Sequence, residues 1–479
     1  MPTYNAPVRD MKFIMQEMLN IGDLTKYEKF SEADTETLDA IIDHQAKFSS
    51  EILTPLNVIG DKEGCTRHSD GSVTTPTGFK EAYAQMVENG MLGLSANPEY
   101  GGMGMPGIWS IAAGEMQSAA NTAFSMYPGL TNGAAKAIEI GGTEEQKKTF
   151  LPKMVSGQWT GTMNLTEPHC GTDLGLLKTK AVPQTDGSYK ITGQKIFISA
   201  GEHDMSENII HLCLARIEGA PEGVKGISLF IVPKFKLDEK GEVGPKNAVS
   251  CGAIEHKMGI NGNATCVMNY DEADGYLVGE ADKGLRVMFV MMNRARLDVG
   301  MQGLAQSDVA YQNAVAYAKD RAQGRSLTGP KNTDGPADPI IVHPDVRRML
   351  METKAFNEGA RALIYWSALM EDLETVHPDE KFREKADDYL GLLTPVIKGY
   401  LTDKALATTI DCQQIFGGHG FIEEWGMSQF VRDTRITLIY EGANGIQALD
   451  LVGRKLAKNG GRALMTLNAE MDDFLSENS

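Results

Sequence analysis

The sequence has no long apolar run, no secretory pattern and no excess of positive charge. Nowhere in its 479 residues do 18 apolar residues follow one another, so no segment reads as a membrane-spanning helix. Charged residues interrupt the N-terminal segment from Arg9 onward, unlike a secretory signal. The net charge of −18 argues against nucleic acid or an anionic membrane surface as a partner, because both would repel it. A small polyanionic ligand held by a few arginines stays compatible with this charge.

Cysteine is scarce and scattered. The six cysteines include no CxxC pair and no spacing typical of zinc or iron ligands, and His169 reads as a surface loop residue. We therefore predict no metal site, and we expect buried thiols in a protein of the reducing cytoplasm. These cysteines are Cys65, Cys170, Cys213, Cys251, Cys266 and Cys412.

What the sequence does contain is a change of pattern near residues 160 and 285. Residues 1–160 and 286–479 place apolar side chains at helical spacing, whereas 161–285 contain short runs separated by Gly, Pro and Asn. We predict an α+β multidomain protein with an N-terminal helical domain and extension, a middle β domain and a C-terminal helical bundle. The last segment ends without a clear cap signal, so we expect the natural chain to continue beyond residue 479.

Individual elements can be placed within this plan. In the middle region, Asp186-Gly187 predicts a hairpin turn before a strand that begins near Tyr189. Helical spacing predicts helices over Glu36 to Ser50, Thr77 to Asn89, Pro106 to Ala120, Gly133 to Ile140 and Pro395 to Ile415, and a long helix with an apolar stripe from Val346 to Ile364.

A glycine-rich segment, residues 102–107, matches the GxGxxG pattern of dinucleotide-binding folds. No strand precedes it, Pro106 interrupts it, and no βαβ unit surrounds it. We therefore predict a loop between helices there and no Rossmann fold.

Glu441 is the strongest candidate for a catalytic residue. It follows an apolar run and stands between an aromatic residue, Tyr440, and Gly442. A buried carboxylate without a cationic partner is costly to ionise, so its pKa rises towards neutrality, as a base that takes a proton from carbon requires. Gly442 would let a flat ligand approach the backbone closely. A plain turn is the alternative interpretation of this tripeptide.

Two other segments offer binding groups. Residues 164–173 are rich in hydroxyls and backbone donors that could face a heterocycle or a phosphate, although an ordinary capping loop has the same composition. Arg296 and Arg321 could bind an anion, although arginines on helices usually pair with acidic side chains.

Taken in order, these segments resemble the acyl-CoA dehydrogenase family of flavoenzymes over roughly residues 36–456. The match lies in four blocks: 164–172 with its Thr-Glu-Pro core, 195–199, 414–418 and 439–442. The resemblance implies the family's three-part fold, in which the middle domain is β-barrel-like. The N-terminal extension and the polar loop at 329–339 look like the subgroup that includes the 3-methylmercaptopropionyl-CoA dehydrogenases.

The resemblance also implies roles for individual residues. Glu441 matches the catalytic base. The matches to FAD-contacting positions are Met163, Leu165, Thr166, Gly171, Thr172, Phe197 and Ser199, with Arg321, Gln414, Phe416, Gly417 and Gly418 matching contacts to the FAD of a neighbouring subunit. The matches to substrate-side positions are Thr172, Asn293, Arg296 and Gly442.

Some positions depart from the family pattern. Phe197 stands where tryptophan is common, Ser199 where threonine is common, and Asn293 where many members have aspartate. Ala443 and Gly445 replace a threonine and a glutamine, which removes two side chains that could bond FAD.

The function implied is FAD-dependent α,β-dehydrogenation of an acyl-CoA thioester to trans-2-enoyl-CoA, with electrons passed to an electron-transfer flavoprotein. The subgroup suggests 3-methylmercaptopropionyl-CoA as substrate, which gives methylthioacryloyl-CoA in dimethylsulfoniopropionate catabolism. The match of Arg321 and residues 414–418 to contacts with a neighbouring subunit implies a homodimer or dimer of dimers. The alternatives are an acyl-CoA oxidase that uses oxygen and a non-catalytic acyl-CoA-binding protein. Peroxide release would identify the oxidase, and a protein without a flavin absorption band would indicate the binding protein.

Overall fold

We describe a computed structural model of residues 2–478, in which the side chain of Val290 is left out of the description. The α-helices are α1 Val8–Lys12, α2 Thr35–Phe48, α3 Thr54–Glu63, α4 Phe79–Glu88, α5 Gly107–Gly141, α6 Glu144–Val155, α7 Gly284–Asp320, α8 Pro344–Val376, α9 Glu380–Val396, α10 Thr402–Ile415, α11 Met427–Arg435, α12 Asn444–Asp450 and α13 Arg462–Glu477. The strands are β1 Thr66–Arg67, β2 Val73–Thr74, β3 Trp159–Asn164, β4 Lys180–Pro183, β5 Tyr189–Ser199, β6 Asn208–Ile217, β7 Ser228–Pro233, β8 Phe235–Leu237, β9 Val243–Lys246, β10 Val249–Ile254 and β11 Thr265–Val278. Among these helices we find none with the length and apolar content needed to cross a bilayer.

The chain forms two compact units. Unit 1 contains residues up to 54, 105–122 and from 296 onward, and it is helical. Unit 2 contains residues 55–104 and 123–295, and it holds the β-sheets.

The sheet of unit 2 closes on itself. β5 pairs with β4 and β11, β6 pairs with β4 and β7, and β7 pairs with β11, so five strands form a ring. β10 extends the sheet from β11, and β3 extends it from β6 in parallel register. Apolar residues of β5, β6 and β7 are buried, so the ring encloses a core. The predicted middle β-barrel-like domain and helical flanks are confirmed.

The predicted hairpin is present. β4 and β5 are antiparallel, with Pro183 paired to Tyr189 across a turn in which Gly187 has φ +85°. This left-handed conformation explains why glycine follows Asp186, because a side chain there would strain the turn.

One helix prediction is confirmed and another needs a new start. α5 is broken at Asn121, whose backbone is not helical (φ −161°, ψ 90°), so its first part ends where the helix expected at 106–120 ends. The helix expected at 133–140 is the end of the second part, which begins just after Asn121. Pro128 lies inside this second part, although proline costs about 3 kcal/mol in a helix interior. Phe124 and Tyr127 are fully buried on this stretch, and their burial offsets that cost.

The helix predicted at 395–415 begins earlier than expected. α9 starts at Glu380, where the Asp379 side chain accepts a hydrogen bond from the Lys381 N–H at 2.9 Å and so caps the helix. A π-helical turn over Ile397–Leu401 then leads into α10. The predicted end is confirmed, because α10 stops at Ile415 before the turn at 417–418.

Two buried histidines make unit 2 sensitive to acid. His203 bonds Thr160 Oγ1 at 3.0 Å, His211 bonds Thr162 Oγ1 at 2.7 Å, and burial lowers the pKa of each imidazole to about 3. The unfolded chain takes up these protons near pH 6.5 whereas the folded chain does not. Stability is therefore lost as pH falls below about 6.5.

We expect each histidine to cost about 1.4 kcal/mol of unfolding free energy per pH unit in that range. Chemical unfolding of wild type and His211→Asn between pH 5 and 8 measures this effect. The variant should show a shallower loss below pH 6.5. An equal slope in the two proteins would contradict the assignment of a neutral, buried imidazole.

Candidate active site

The turn that carries Glu441 has an unusual backbone. Glu441 has φ +55° and Gly442 has φ +89°, and a non-glycine residue in this left-handed region is strained by about 1–2 kcal/mol. A Cβ at Gly442 would lie 2.5 Å from Gln447 Nε2. Glycine is thus required by its own φ and by Gln447, whose side chain lies where a Cβ would be.

Side chains from two helices hold this turn. Arg296 on α7 donates from Nε to the Glu441 carbonyl at 3.4 Å. Gln447 on α12 donates from Nε2 to the carbonyls of Glu441 and Gly442 at 3.3 and 3.1 Å. Tyr440, just before the turn, donates its hydroxyl hydrogen to Gln302 Oε1. The backbone strain is therefore supported by bonds on both sides of Glu441.

The Glu441 carboxyl group lies in a desolvated, charged environment. Burial raises its pKa to about 7, Arg296 and Lys398 act to lower it, and Asp298 adds to the rise. The expectation of a pKa near neutrality agrees with this value. The expectation that the carboxylate lacks a cationic partner is wrong, because the positive charges of Arg296 and Lys398 both act on it. The net result is a carboxyl group whose pKa lies near neutrality.

In unit 2, a buried ion pair shapes the loop after β3. Lys195 is fully buried, and its Nζ donates to Glu167 Oε1 at 2.8 Å and to the Leu165 carbonyl at 3.0 Å. Glu167 also accepts hydrogen bonds from Thr179 and from the Lys178 N–H. This pair ties the Thr-Glu-Pro segment to β5.

In the same unit, the loop after β3 lies beside the end of β5, and both carry residues that the sequence predicts to contact the cofactor. Ile196 N donates to the Thr166 carbonyl at 2.9 Å, so the loop runs beside the end of β5. Phe197 on β5 has φ +59° and is 60% exposed, which is unusual for a large aromatic side chain in a strand. The other predicted cofactor residues of this loop and these strands are half-buried or exposed. They are Met163, Leu165, Thr166, Gly171, Thr172 and Ser199.

A second group of predicted residues gathers in unit 1. The ring of Tyr317 on α7 stacks on Phe416 with centroids 4.2 Å apart, and its hydroxyl bonds His419 Nδ1 at 2.9 Å. Arg321 follows Tyr317 by one helical turn and is exposed. The structure therefore brings the end of α7 to the turn after α10, where Gln414, Gly417 and Gly418 are also exposed.

The predicted residues thus form three groups. The first group contains Glu441, Gly442 and Arg296. The second contains the loop and strand residues of unit 2. The third contains Arg321 and the residues at the end of α10 and in the turn that follows it. Asn293 is exposed on the first part of α7.

One group of side chains could be mistaken for a metal site. Potential ligand atoms of Glu167, His169 and Cys170 lie within 4.8 Å of one another. The Glu167 carboxylate is already paired with Lys195, and His169 Nε2 bonds the Leu176 carbonyl at 2.9 Å. Because His169 Nε2 donates to that carbonyl, it has no lone pair for a cation, and the carboxylate and Nε2 are both engaged in contacts within the protein.

Sequence reasoning missed two residues of the Glu441 site, Lys398 and Gln447. Lys398 interrupts the apolar run Val396 to Leu401, and a lone lysine in such a run was a usable signal. Gln447 sits at ordinary helical spacing and gives no signal.

Comparison with known proteins adds independent findings. Family models match residues 65–158 (acyl-CoA dehydrogenase, N-terminal domain), 162–273 (middle domain) and 282–456 (C-terminal domain). The chain is 47% identical over 460 residues to the 3-methylmercaptopropionyl-CoA dehydrogenase of Ruegeria pomeroyi, covering 96% of this chain and 77% of that protein.

Solved structures of acyl-CoA dehydrogenases are also similar to this chain. Butyryl-CoA dehydrogenase from Megasphaera elsdenii matches with a TM-score of 0.71 and 26% identity, covering 88% of this chain and 98% of that one. An acyl-CoA dehydrogenase from Bacillus anthracis, complexed with FAD, matches with a TM-score of 0.73 and 24% identity, covering 90% and 70%.

Proposed function

Since the chain belongs to the acyl-CoA dehydrogenase family, we propose that it removes two hydrogens from the α and β carbons of an acyl-CoA thioester to give trans-2-enoyl-CoA. The observation that carries this proposal is Glu441, a carboxyl group with a pKa of about 7 on a strained, doubly held turn. A base whose pKa lies near the working pH is suited to taking a proton from carbon.

In the proposed reaction Glu441 takes the α-proton. Removing it places negative charge on the thioester carbonyl oxygen, and that charge needs hydrogen-bond donors. The Glu441 N–H donates to no oxygen among the described residues, so it is available for this role. Arg296 and Gln447 engage the carbonyl of the same residue and so keep the peptide group oriented.

We propose FAD as the cofactor, which when bound supplies the acceptor for the hydride that leaves the β carbon. The unit 2 residues fit such a group. The exposed ring of Phe197 offers an apolar face for a planar heterocycle, and the hydroxyls of Thr166, Thr172 and Ser199 offer hydrogen bonds. We propose that Arg321, Gln414, Phe416, Gly417 and Gly418 contact the FAD of a second subunit, in a homodimer or dimer of dimers.

The substrate and acceptor are proposed from the relatives. The similar protein from Ruegeria pomeroyi is a 3-methylmercaptopropionyl-CoA dehydrogenase, so we propose the same thioester here, with methylthioacryloyl-CoA as product. Thr172, Asn293, Arg296 and Gly442 are the proposed substrate contacts. We propose an electron-transfer flavoprotein as acceptor, a cytoplasmic location, and domains at 1–160, 161–285 and 286–479.

Anaerobic titration of the purified protein with a panel of acyl-CoA thioesters tests this function. We expect an absorption band near 450 nm that is bleached by 3-methylmercaptopropionyl-CoA, with a smaller kcat/KM for chains several methylenes longer, at about 10-fold or more per poorly accommodated methylene. A flavin that no thioester bleaches, or a colourless protein, would reject a dehydrogenase. Stoichiometric peroxide under air would instead identify an oxidase.

A further inference from the structure

Lys398 is an ammonium group enclosed in the helical unit. Its residue is fully buried, on the π-helical turn Ile397–Leu401 between α9 and α10. π-Helical turns inside α-helices are frequent at functional sites. Burial lowers the pKa of Lys398 to about 8, so a large part of the molecules keeps the charge at pH 7. A buried charge persists only where nearby groups compensate for its lost hydration.

A side-chain amide accepts a hydrogen bond from this ammonium group. Lys398 Nζ donates to Asn444 Oδ1 at 2.8 Å. Asn444 Nδ2 points the other way and lies 3.1, 2.9 and 2.8 Å from the Gly399 carbonyl, Thr402 Oγ1 and Asp403 Oδ1, which share its two hydrogens. Because these three partners are acceptors, the amide orientation is fixed and its oxygen must face a donor.

This contact holds one end of the catalytic turn. Asn444 begins α12, three residues after Glu441. Arg296 and Gln447 hold the carbonyls at the other end of the same short segment. Lys398 therefore completes the attachment of residues 441–444 to the helices of unit 1.

The charge of Lys398 also acts on the carboxyl group of Glu441. Arg296 and Lys398 favour the ionised carboxylate, whereas Asp298 opposes it. Around Lys398 itself the charged groups are Glu441, Asp403 and Arg296. Arg296 also lies 4.0 Å from Asp450, whereas Lys398 adds a second positive charge that acts on the base.

From this geometry we infer that Lys398 is a positioning residue for the proposed reaction. It fixes the turn that carries Glu441 through Asn444, and its positive charge, together with that of Arg296, favours the ionised carboxylate that acts as the base. This inference rests on the proposed function, since it assigns Lys398 a part in the use of Glu441.

Lys398→Gln separates the two roles. Glutamine can still donate a hydrogen bond towards Asn444 but carries no charge, so the carboxylate of Glu441 loses one of its stabilising cations. We expect the rising limb of kcat/KM for acyl-CoA to move up by about one pH unit. Activity should then be about 5-fold lower at pH 7 and nearly equal to wild type at pH 9. Lys398→Met, which also loses the bond to Asn444, should be slower at every pH.

Lys404→Gln is the matched control, because Lys404 is exposed on the following helix. It should leave the profile in place. A Lys398→Gln profile with an unmoved limb, lowered equally at all pH values, would overturn the inference and leave Lys398 with a packing role.

A second measurement does not depend on turnover. The difference in unfolding free energy between wild type and Glu441→Gln changes with pH, and this change reports the pKa of Glu441 in the fold. The same difference is then measured with Lys398→Gln present in both proteins. A midpoint that rises in the Lys398→Gln background supports the inference even if no thioester is oxidised, and an unchanged midpoint contradicts it. An inert wild type contradicts the proposed function alone.

Discussion

Glu441→Gln should reduce turnover of acyl-CoA by about 10²–10⁴-fold or more, which is the contribution of a positioned base. Glutamine has nearly the same shape, so the bonds from Arg296 and Gln447 to the main-chain carbonyl should persist. The variant should therefore bind as much flavin as wild type. Stopped-flow bleaching of the flavin band by substrate measures the loss directly.

Two further variants test whether the loss of turnover is due to the carboxylate of Glu441. Glu441→Asp keeps a carboxylate at shorter reach and should fall between wild type and glutamine. Glu424→Gln makes the same chemical change at an exposed residue and should be unaffected. Bleaching of the Glu441→Gln protein at wild-type speed would end the assignment of the base.

The pH profile follows from the same residue. Only the ionised carboxylate accepts a proton, and the pKa of Glu441 is about 7. The kcat/KM of wild type should therefore rise between about pH 6 and pH 8, with the sign expected of a base.

Arg361→Met should destabilise the helical unit by about 3–5 kcal/mol, the cost of leaving a buried charge without its partner. Arg361 on α8 is 1% exposed and lies between two carboxylates, at 2.7 Å from Glu115 Oε1 and 3.2 Å from Asp308 Oδ1. Tyr365 donates to the other oxygen of Glu115 at 2.8 Å. Without the guanidinium, two carboxylates would face each other inside the protein.

The loss should depend on pH. Burial already raises the pKa of Glu115, and removal of Arg361 raises it further, so the carboxyl group is protonated at a higher pH in the folded variant than in the unfolded chain. Such a group costs stability as pH rises. The deficit measured by chemical unfolding should therefore be larger at pH 8 than at pH 5.

Arg361→Met with Glu115→Gln is the informative control. It removes one of the two uncompensated charges and should recover part of the lost stability. A deficit below about 1 kcal/mol in the single variant, or no recovery in the double variant, would show that this cluster contributes little.

The sequence predicted much of this fold because its signals are local. The Asp186-Gly187 turn and the end of α10 at Ile415 both depend on residues next to them in the chain. The early start of the second part of α5, before Pro128, was missed because it depends on the burial of Phe124 and Tyr127 by distant residues.

In the candidate site, too, local features could be predicted from the sequence and long-range contacts could not. Glu441 was identified from its neighbours and from a resemblance, whereas Lys398 lies far from it in the sequence and bonds Asn444 only in the folded chain. The charge surrounding Glu441 could not be read from an apolar run. Its pKa is near neutral because burial outweighs two cations, not because cations are missing.

The closed ring of strands in unit 2 also limits unwanted self-association. An open sheet ends in strands whose N–H and C=O groups can pair with another molecule, the first step towards aggregates. Here the five strands of the ring pair with one another through their N–H and C=O groups, which leaves β3 and β10 as the edge strands of the sheet. β10 is only six residues long and its register shifts between Cys251 and Ala253. A short, kinked margin is a poor template for a foreign strand.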